Sequence, residues 1–152
     1  MKKILTIAAF MLLATAIDAD AQLDAYFGAG AGYNSEIEAT SLRFYGGVPV
    51  GEFFTYFVDG GIYFRDSPRA ADVSANLRFM IPGSEVFHPY VYTGINYTRF
   101  GGDYVGANFG AGAQFMASPG FFFVRGQYTL GGLNMVSASA GVTYIFRVAS
   151  KR

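Results

Sequence analysis

The sequence of 152 residues has no cysteine and few charged side chains. The absence of cysteine excludes disulfide bonds, a thiolate metal site, a cysteine nucleophile and a lipid anchor on cysteine. Charged residues make up only 14% of the chain, and its 11 basic and 11 acidic side chains cancel. Because no excess positive charge is available to neutralise phosphates, the composition excludes nucleic acid as a partner.

Lysine is nearly absent between the two ends of the chain, where Lys2, Lys3 and Lys151 are found. A surface that faces water normally carries many charged residues of both signs. The chain is instead rich in glycine, with 20 residues, and in aromatic residues, which make up 18%. An ordinary soluble domain is therefore not expected.

The first residues have the pattern of a secretory signal peptide. The basic pair Lys2-Lys3 precedes an apolar run from Ile4 to Ile17, and the small-residue triplet Ala19-Asp20-Ala21 follows. This order is typical of an export signal and its cleavage site. The apolar run is too short for a membrane helix, which needs about 20 residues. We predict a signal peptide at 1–21 and an exported domain at 22–152.

From residue 23 onward the sequence has a period of two. Apolar side chains alternate with polar or small ones over eight segments, separated by turns of Gly, Pro, Asn, Asp and Ser. The predicted strands span about 24–33, 40–48, 53–65, 70–81, 90–98, 104–115, 121–130 and 137–146. The second, fourth and sixth connections contain Pro49, Pro82 and Pro119, whereas the others are charged or glycine-rich. This alternation predicts an all-β fold, an eight-stranded antiparallel up-and-down barrel.

The two faces of the predicted strands decide which environment surrounds the barrel. A soluble lipocalin-like barrel would expose Gly, Tyr, Ser and Asn to water, and the chain has no Trp for the Gly-x-Trp signature of lipocalins. A membrane barrel turns its apolar face to lipid and carries aromatic girdles at both interfaces. Ten aromatic residues lie towards strand ends on the apolar face. They are Phe27, Tyr33, Phe54, Tyr56, Phe64, Tyr97, Phe115, Tyr128, Tyr144 and Phe146. We predict a transmembrane β-barrel.

The inward face then carries a lumen charge network. Its six members are Asp24, Arg43, Asp59, Asp72, Arg78 and Arg125. Three acids balance three bases, as a poorly hydrated lumen requires, since an unpaired buried charge is very costly. We expect these side chains to plug the lumen, and a proton or ion path is the alternative. Inward glycines are expected to leave room for bulky Tyr and Arg side chains.

The last predicted strand carries a candidate assembly signal. From Ser139 to Phe146 the order is polar, any, Gly141, any, any, Tyr144, any, Phe146. This pattern resembles the signal that the outer-membrane insertion machinery reads on the final strand of its clients. The chain departs from that pattern by continuing to Arg152.

Two inner segments are similar to the fifth and sixth strands of small outer-membrane β-barrels of the OmpA/OmpX-like superfamily. They are Pro89–Tyr97 and Gly106–Gly112, and the resemblance extends over the whole exported domain. It implies a monomeric barrel in the outer membrane that contacts lipid and lipopolysaccharide and depends on the barrel-insertion machinery. It implies no cofactor.

Catalytic and metal-binding residues are not expected. Enzymes among outer-membrane barrels use a histidine near the outer rim or the lipid face. The single histidine, His88, is predicted in the connection at the opposite end, beside Pro89. Glu36 and Glu38 could share a hard cation with lipopolysaccharide, but no further carboxylates complete a ligand pattern. We expect a non-enzymatic structural or interaction protein; a narrow channel is the alternative, and a lipid-modifying enzyme is a weaker one.

Overall fold

Eight antiparallel strands follow one another around a closed barrel in the computed structural model, which describes residues 23–148. The strands are β1 (Leu23–Asn34), β2 (Ala39–Val50), β3 (Phe54–Tyr63), β4 (Ala70–Met80), β5 (Phe87–Phe100), β6 (Asp103–Ala117), β7 (Gly120–Gly131) and β8 (Met135–Val148). Pairing of β1 with β8, from Leu23 opposite Val148 to Asn34 opposite Ser137, closes the barrel. The predicted up-and-down β-barrel is confirmed.

Some sequence-based expectations fall outside this part of the chain. The signal peptide predicted at 1–21 and the tail at 149–152 lie outside the described residues. Among residues 23–148, no helix has the length and apolar character needed to cross a membrane.

The start of β5 differs from the prediction. The strand begins at Phe87 and not at Tyr90, so His88 is a strand residue opposite Gln114 and does not lie in the connection. The reason is that β6 is long enough to pair with these residues. Pro89 is tolerated because the pairing of β4 with β5 ends at Tyr90, so no strand residue needs the amide hydrogen that proline lacks. Its carbonyl accepts a hydrogen bond from the Ile81 amide at 2.9 Å.

The connections divide between two ends of the barrel. The terminal end carries both ends of the described chain and the connections 51–53, 81–86 and 118–119. The loop end carries the connections 35–38, 64–69, 101–102 and 132–134. All of these connections are short, and the longest at the loop end is 64–69. The barrel therefore projects no large loop at either end.

The outward face is apolar. Ile95, near the middle of the barrel wall, is 65% exposed, and Val105, nearer the loop end, is 67% exposed. The ten aromatic side chains expected in the girdles are all exposed, and further rings pack beside them at the terminal end, as Phe79 does against Phe54 at 5.3 Å. A continuous apolar surface of this kind is stable against hydrocarbon and not against water.

Inward-facing glycines leave room for large side chains from neighbouring strands. A Cβ atom on Gly112 would lie 2.7 Å from Cζ of Tyr90. A Cβ atom on Gly61 would lie 2.7 Å from Nη1 of Arg43. These glycines are therefore required by packing, as expected from the sequence.

Replacement of Gly112 by alanine is expected to destabilise the barrel by about 1–3 kcal/mol, the usual cost of overpacking. The added methyl group would also lie 2.5 Å from the carbonyl oxygen of Val124. This oxygen belongs to the backbone of a paired strand and cannot easily move away. Gly126 is the matched control because its Cβ would meet no atom within 4 Å. Gly126→Ala should be neutral or stabilise by up to about 1 kcal/mol. Urea unfolding of refolded protein measures both, and equal losses would contradict the packing explanation.

Candidate functional site

The centre of the lumen holds a compact group of charged side chains, the central ion cluster, formed by Arg43, Asp59, Asp72 and Arg125. Arg43 donates to both carboxylate oxygens of Asp72, at 3.0 and 3.1 Å, and also pairs with Asp59. Arg125 forms an ion pair with Asp59, with 2.9 Å between Nη2 and Oδ1. All four side chains are buried, with at most 4% of each exposed. The cluster has two positive and two negative charges and is neutral as a whole.

Strand register brings Arg43 to Asp72. Arg43 on β2 lies opposite Gly61 on β3, and Gly61 lies opposite Asp72 on β4. Because Gly61 has no side chain, the guanidinium group passes over it to the carboxylate. The Tyr63 hydroxyl completes this arrangement by donating to Asp72 at 2.6 Å.

Asp59 is the centre of the cluster. Its Oδ1 atom pairs with Arg43 from the neighbouring strand β2 and with Arg125 from β7, and its Oδ2 atom accepts a hydrogen bond from the Asn76 amide at 3.2 Å. None of its side-chain surface is exposed. Asp59 therefore forms ion pairs with two buried guanidinium groups at once, and Asp72 supplies the second negative charge of the cluster.

A chain of amide side chains continues from the cluster to the far wall. Asn108 donates to Asn76 at 3.2 Å, and Gln127 donates to Asn108 at 3.1 Å. The Tyr92 hydroxyl donates to Gln127 at 3.1 Å. Hydrogen bonds thus link β3, β4, β6, β7 and β5 through the interior, so polar side chains fill the middle of the lumen.

Arg78 and Asp24 lie apart from the central ion cluster. Arg78 is buried among aromatic rings and donates to the Tyr26 hydroxyl at 3.1 Å and to Gln114 at 3.3 Å. Asp24 is partly buried at the terminal end of β1, in register with Arg147. Neither takes part in the ion pairs of the cluster. The structure therefore joins four of the six side chains expected in one network.

Two apolar groups close the lumen on either side of the cluster. The terminal plug consists of Tyr26, Tyr45, Phe57, Tyr90, Tyr92, Phe121 and Phe123. The loop-end plug consists of Ile37, Ala39, Tyr63, Ala70 and Met135. With the ion cluster between them, these plugs block a continuous path along the barrel axis.

Ile37 is a residue whose role the sequence analysis missed. It belongs to the connection 35–38, yet its side chain is 0% exposed because the chain turns it into the barrel mouth. The Asn34 side chain fixes this turn by accepting the amides of Glu36 and Ile37 at 3.0 and 3.1 Å. A single apolar residue between two glutamates, three positions after an asparagine, was the available signal.

The residues considered for catalysis or metal binding do not come together in one site. Glu36 and Glu38 are exposed on either side of Ile37, and His88 is partly buried at the terminal end. Within residues 23–148, no group of three or more His, Cys, Asp or Glu side chains could hold a metal ion.

The residues of the candidate assembly signal lie on both faces of β8. Gly141 faces inward, where a Cβ atom would lie 2.9 Å from the ring of Phe123 and 2.6 Å from the carbonyl oxygen of Ala29. Tyr144 and Phe146 face outward and are exposed. The glycine is thus required by packing, whereas the two aromatic rings are available at the surface.

No protein-family model matches the chain, and no curated protein matches its sequence. Solved structures do resemble it. The N-terminal β-barrel domain of Pseudomonas aeruginosa OprF superposes with a TM-score of 0.65 at 18% identity, covering 81% of this chain and 97% of that domain. The fold is that of the small outer-membrane β-barrels.

Two further structures share this fold and differ in the roles that their names state. Neisserial surface protein A gives a TM-score of 0.61 at 16% identity, covering 82% of this chain and 97% of its own. The outer-membrane enzyme PagL gives 0.51 at 16% identity, covering 81% of this chain and 99% of its own. At these identities the likeness extends to the fold alone, so function has to be argued from the residues of this chain.

Proposed function

We propose that the protein is an integral, non-enzymatic barrel of the outer membrane with a structural or surface-interaction role. The observation that carries this proposal is a filled lumen inside an apolar wall. The apolar outward face requires contact with lipid. The central ion cluster and the two plugs leave no open path for transport through the interior. Eight-stranded barrels have an interior just wide enough for side chains to fill it.

The proposed orientation follows from the two ends. The terminal end, which carries both ends of the described chain, is proposed to face the periplasm, and the loop end is proposed to face outward. The short loop end offers little area for a large partner, which favours lipopolysaccharide and neighbouring lipid as its main contacts. A closed barrel has no free strand edge, which supports a monomer. The segment 1–21 would direct export, and the barrel-insertion machinery would complete assembly.

The alternative functions meet specific obstacles. A channel requires a continuous water-filled lumen, whereas Ile37 and Met135 close one end and the rings of Tyr26 and Phe121 occupy the other. An enzyme requires an acid-base group near its substrate. The single histidine lies at the terminal end, away from lipopolysaccharide in the proposed orientation.

Four measurements test the proposal. The exported protein should fractionate with outer membranes and should migrate faster on a denaturing gel unheated than boiled, because a closed barrel resists detergent unfolding. The refolded barrel should then give no defined single-channel conductance in planar bilayers. Recovery as a soluble periplasmic protein would overturn the membrane location, and stepwise conductance would favour the channel. Deacylation or acyl transfer on purified lipopolysaccharide would contradict the non-enzymatic role.

Phe146→Ala is expected to reduce the amount of inserted barrel severalfold while changing the stability of refolded protein little. The proposed reason is that the ring is read by the insertion machinery on the last strand. Phe122→Ala is the matched control, since Phe122 is also an exposed aromatic residue near the terminal end but lies on β7. Membrane-fraction yield and urea unfolding in detergent measure the two quantities. Equal loss of insertion in both variants would contradict a signal specific to β8.

A further inference from the structure

The buried charges of the lumen do not balance. Among residues 23–148, the buried charged side chains are three arginines and two aspartates. Both aspartates belong to the central ion cluster, where they neutralise Arg43 and Arg125. Within the described chain, no carboxylate forms an ion pair with Arg78. One buried positive charge is therefore left without an anionic partner.

The surroundings of Arg78 compensate this charge only in part. Rings of Tyr26, Phe57, Tyr90 and Phe121 lie with their centroids 5.0–6.0 Å from the guanidinium carbon. Such rings attract a cation through their negative faces, but they carry no net charge. Burial of an ion costs more than contacts of this kind recover, unless an opposite charge lies nearby.

A small cavity lies beside Arg78, inside the terminal plug. It leaves about 20 Å³ for the centre of a water-sized particle, against roughly 10–15 Å³ that one water molecule needs. Tyr45, Arg125 and Thr143 complete its lining together with the rings. The cavity therefore has room for a particle of about the size of a water molecule or a halide ion.

Two of the residues that line the cavity each carry an unused hydrogen-bond donor. Nε of Arg78 and the hydroxyl group of Tyr45 are both buried and have no hydrogen-bond partner. Their residues are only 6% and 3% exposed. A buried donor without a partner is costly, so a ligand that accepts from both would remove two penalties at once.

We propose that this cavity is a binding site for one small monovalent anion of halide size. Arg78 supplies the charge and one donor through Nε, and the Tyr45 hydroxyl supplies a second donor. A water molecule could accept the same hydrogen bonds but would leave the charge unbalanced. A cation is excluded by the guanidinium groups of Arg78 and Arg125, both of which line the cavity.

The test compares chloride with gluconate, an anion too large for the cavity, at constant ionic strength. The purified barrel in an uncharged detergent should unfold in urea at a midpoint that rises with chloride and reaches saturation. Arg78→Gln should abolish this dependence. Arg99→Gln is the control for loss of one positive charge, because Arg99 is exposed, and it should retain the full response. A midpoint that is the same in chloride and gluconate would overturn the proposal, as would a full response in Arg78→Gln.

A second variant and a direct observation keep the test decisive if Arg78→Gln does not fold. Tyr45→Phe keeps the cavity and the charge but removes one donor. Its apparent dissociation constant for chloride should rise roughly tenfold or more, as expected for one hydrogen bond to a charged group. Crystals grown with bromide should show anomalous scattering within hydrogen-bond distance of Nε of Arg78. An unchanged dissociation constant, or a cavity that holds only water, would contradict the site.

Discussion

Replacement of Asp59 by asparagine is expected to destabilise the barrel by about 3–5 kcal/mol, the cost of breaking a buried ion pair by removing one partner. Asp59 has no exposed side-chain surface and is paired with both Arg43 and Arg125. The neutral amide has nearly the same shape, so packing is preserved while the negative charge is lost. Arg125 then has no carboxylate partner within the cluster. Urea unfolding of refolded protein measures the loss.

Asp72→Asn provides the matched comparison within the same cluster. Asp72 pairs with Arg43 alone, and Arg43 would still be paired with Asp59. The expected loss is therefore smaller, about 1–3 kcal/mol, because hydrogen bonds to a charge are weakened without leaving that charge unpaired. Equal losses for the two variants, or a loss below about 1 kcal/mol for Asp59→Asn, would show that water reaches the cluster and screens it.

The order of strands was predictable because each step of the argument is local. Alternation with a period of two identifies a strand, and a turn ends it, so eight repeats give eight strands without knowledge of distant contacts. The inward face was predictable for a similar reason. The segment from Ala70 to Met80 places Asp72, Asn76 and Arg78 on one side whatever the register, and all three are buried.

Depth within the lumen was not predictable in this way. Arg78 and Arg125 share the inward face, yet only Arg125 reaches Asp59. Which inward residues meet depends on strand register and on the side chains between them, as the passage of Arg43 across Gly61 shows. Alternation along one strand does not specify register between two strands, so an equal number of acids and bases did not imply pairing.

The burial of Ile37 was not predicted for a different reason. A connection between strands is usually read as exposed, and the two glutamates of 35–38 support that interpretation. The hydrogen bonds that the Asn34 side chain accepts from the amides of Glu36 and Ile37, together with the positive φ of 53° at Glu38, turn Ile37 inward. This turn depends on the space inside the barrel mouth, which exists only after the barrel has closed.

Ile95→Arg is expected to destabilise the barrel by about 2–4 kcal/mol, because a charged side chain on the lipid face near the bilayer midplane must leave water. Ile95 is 65% exposed, and it lies opposite Ala75 on β4 and Ala107 on β6, within the middle of the wall. The measurement is the free energy of unfolding in urea after refolding into lipid vesicles.

Val86→Arg separates the effect of depth from the effect of losing an apolar side chain. Val86 is similarly exposed, at 58%, but it lies in the connection 81–86 at the terminal end. There an arginine can reach the lipid headgroups, and the expected loss is only about 0–1 kcal/mol. If the two variants lost equal stability in vesicles, the outward face would not follow the depth of a bilayer. If both losses disappeared while substitutions of inward residues still destabilised the fold, the apolar wall would not be in contact with lipid, and the membrane location would be wrong.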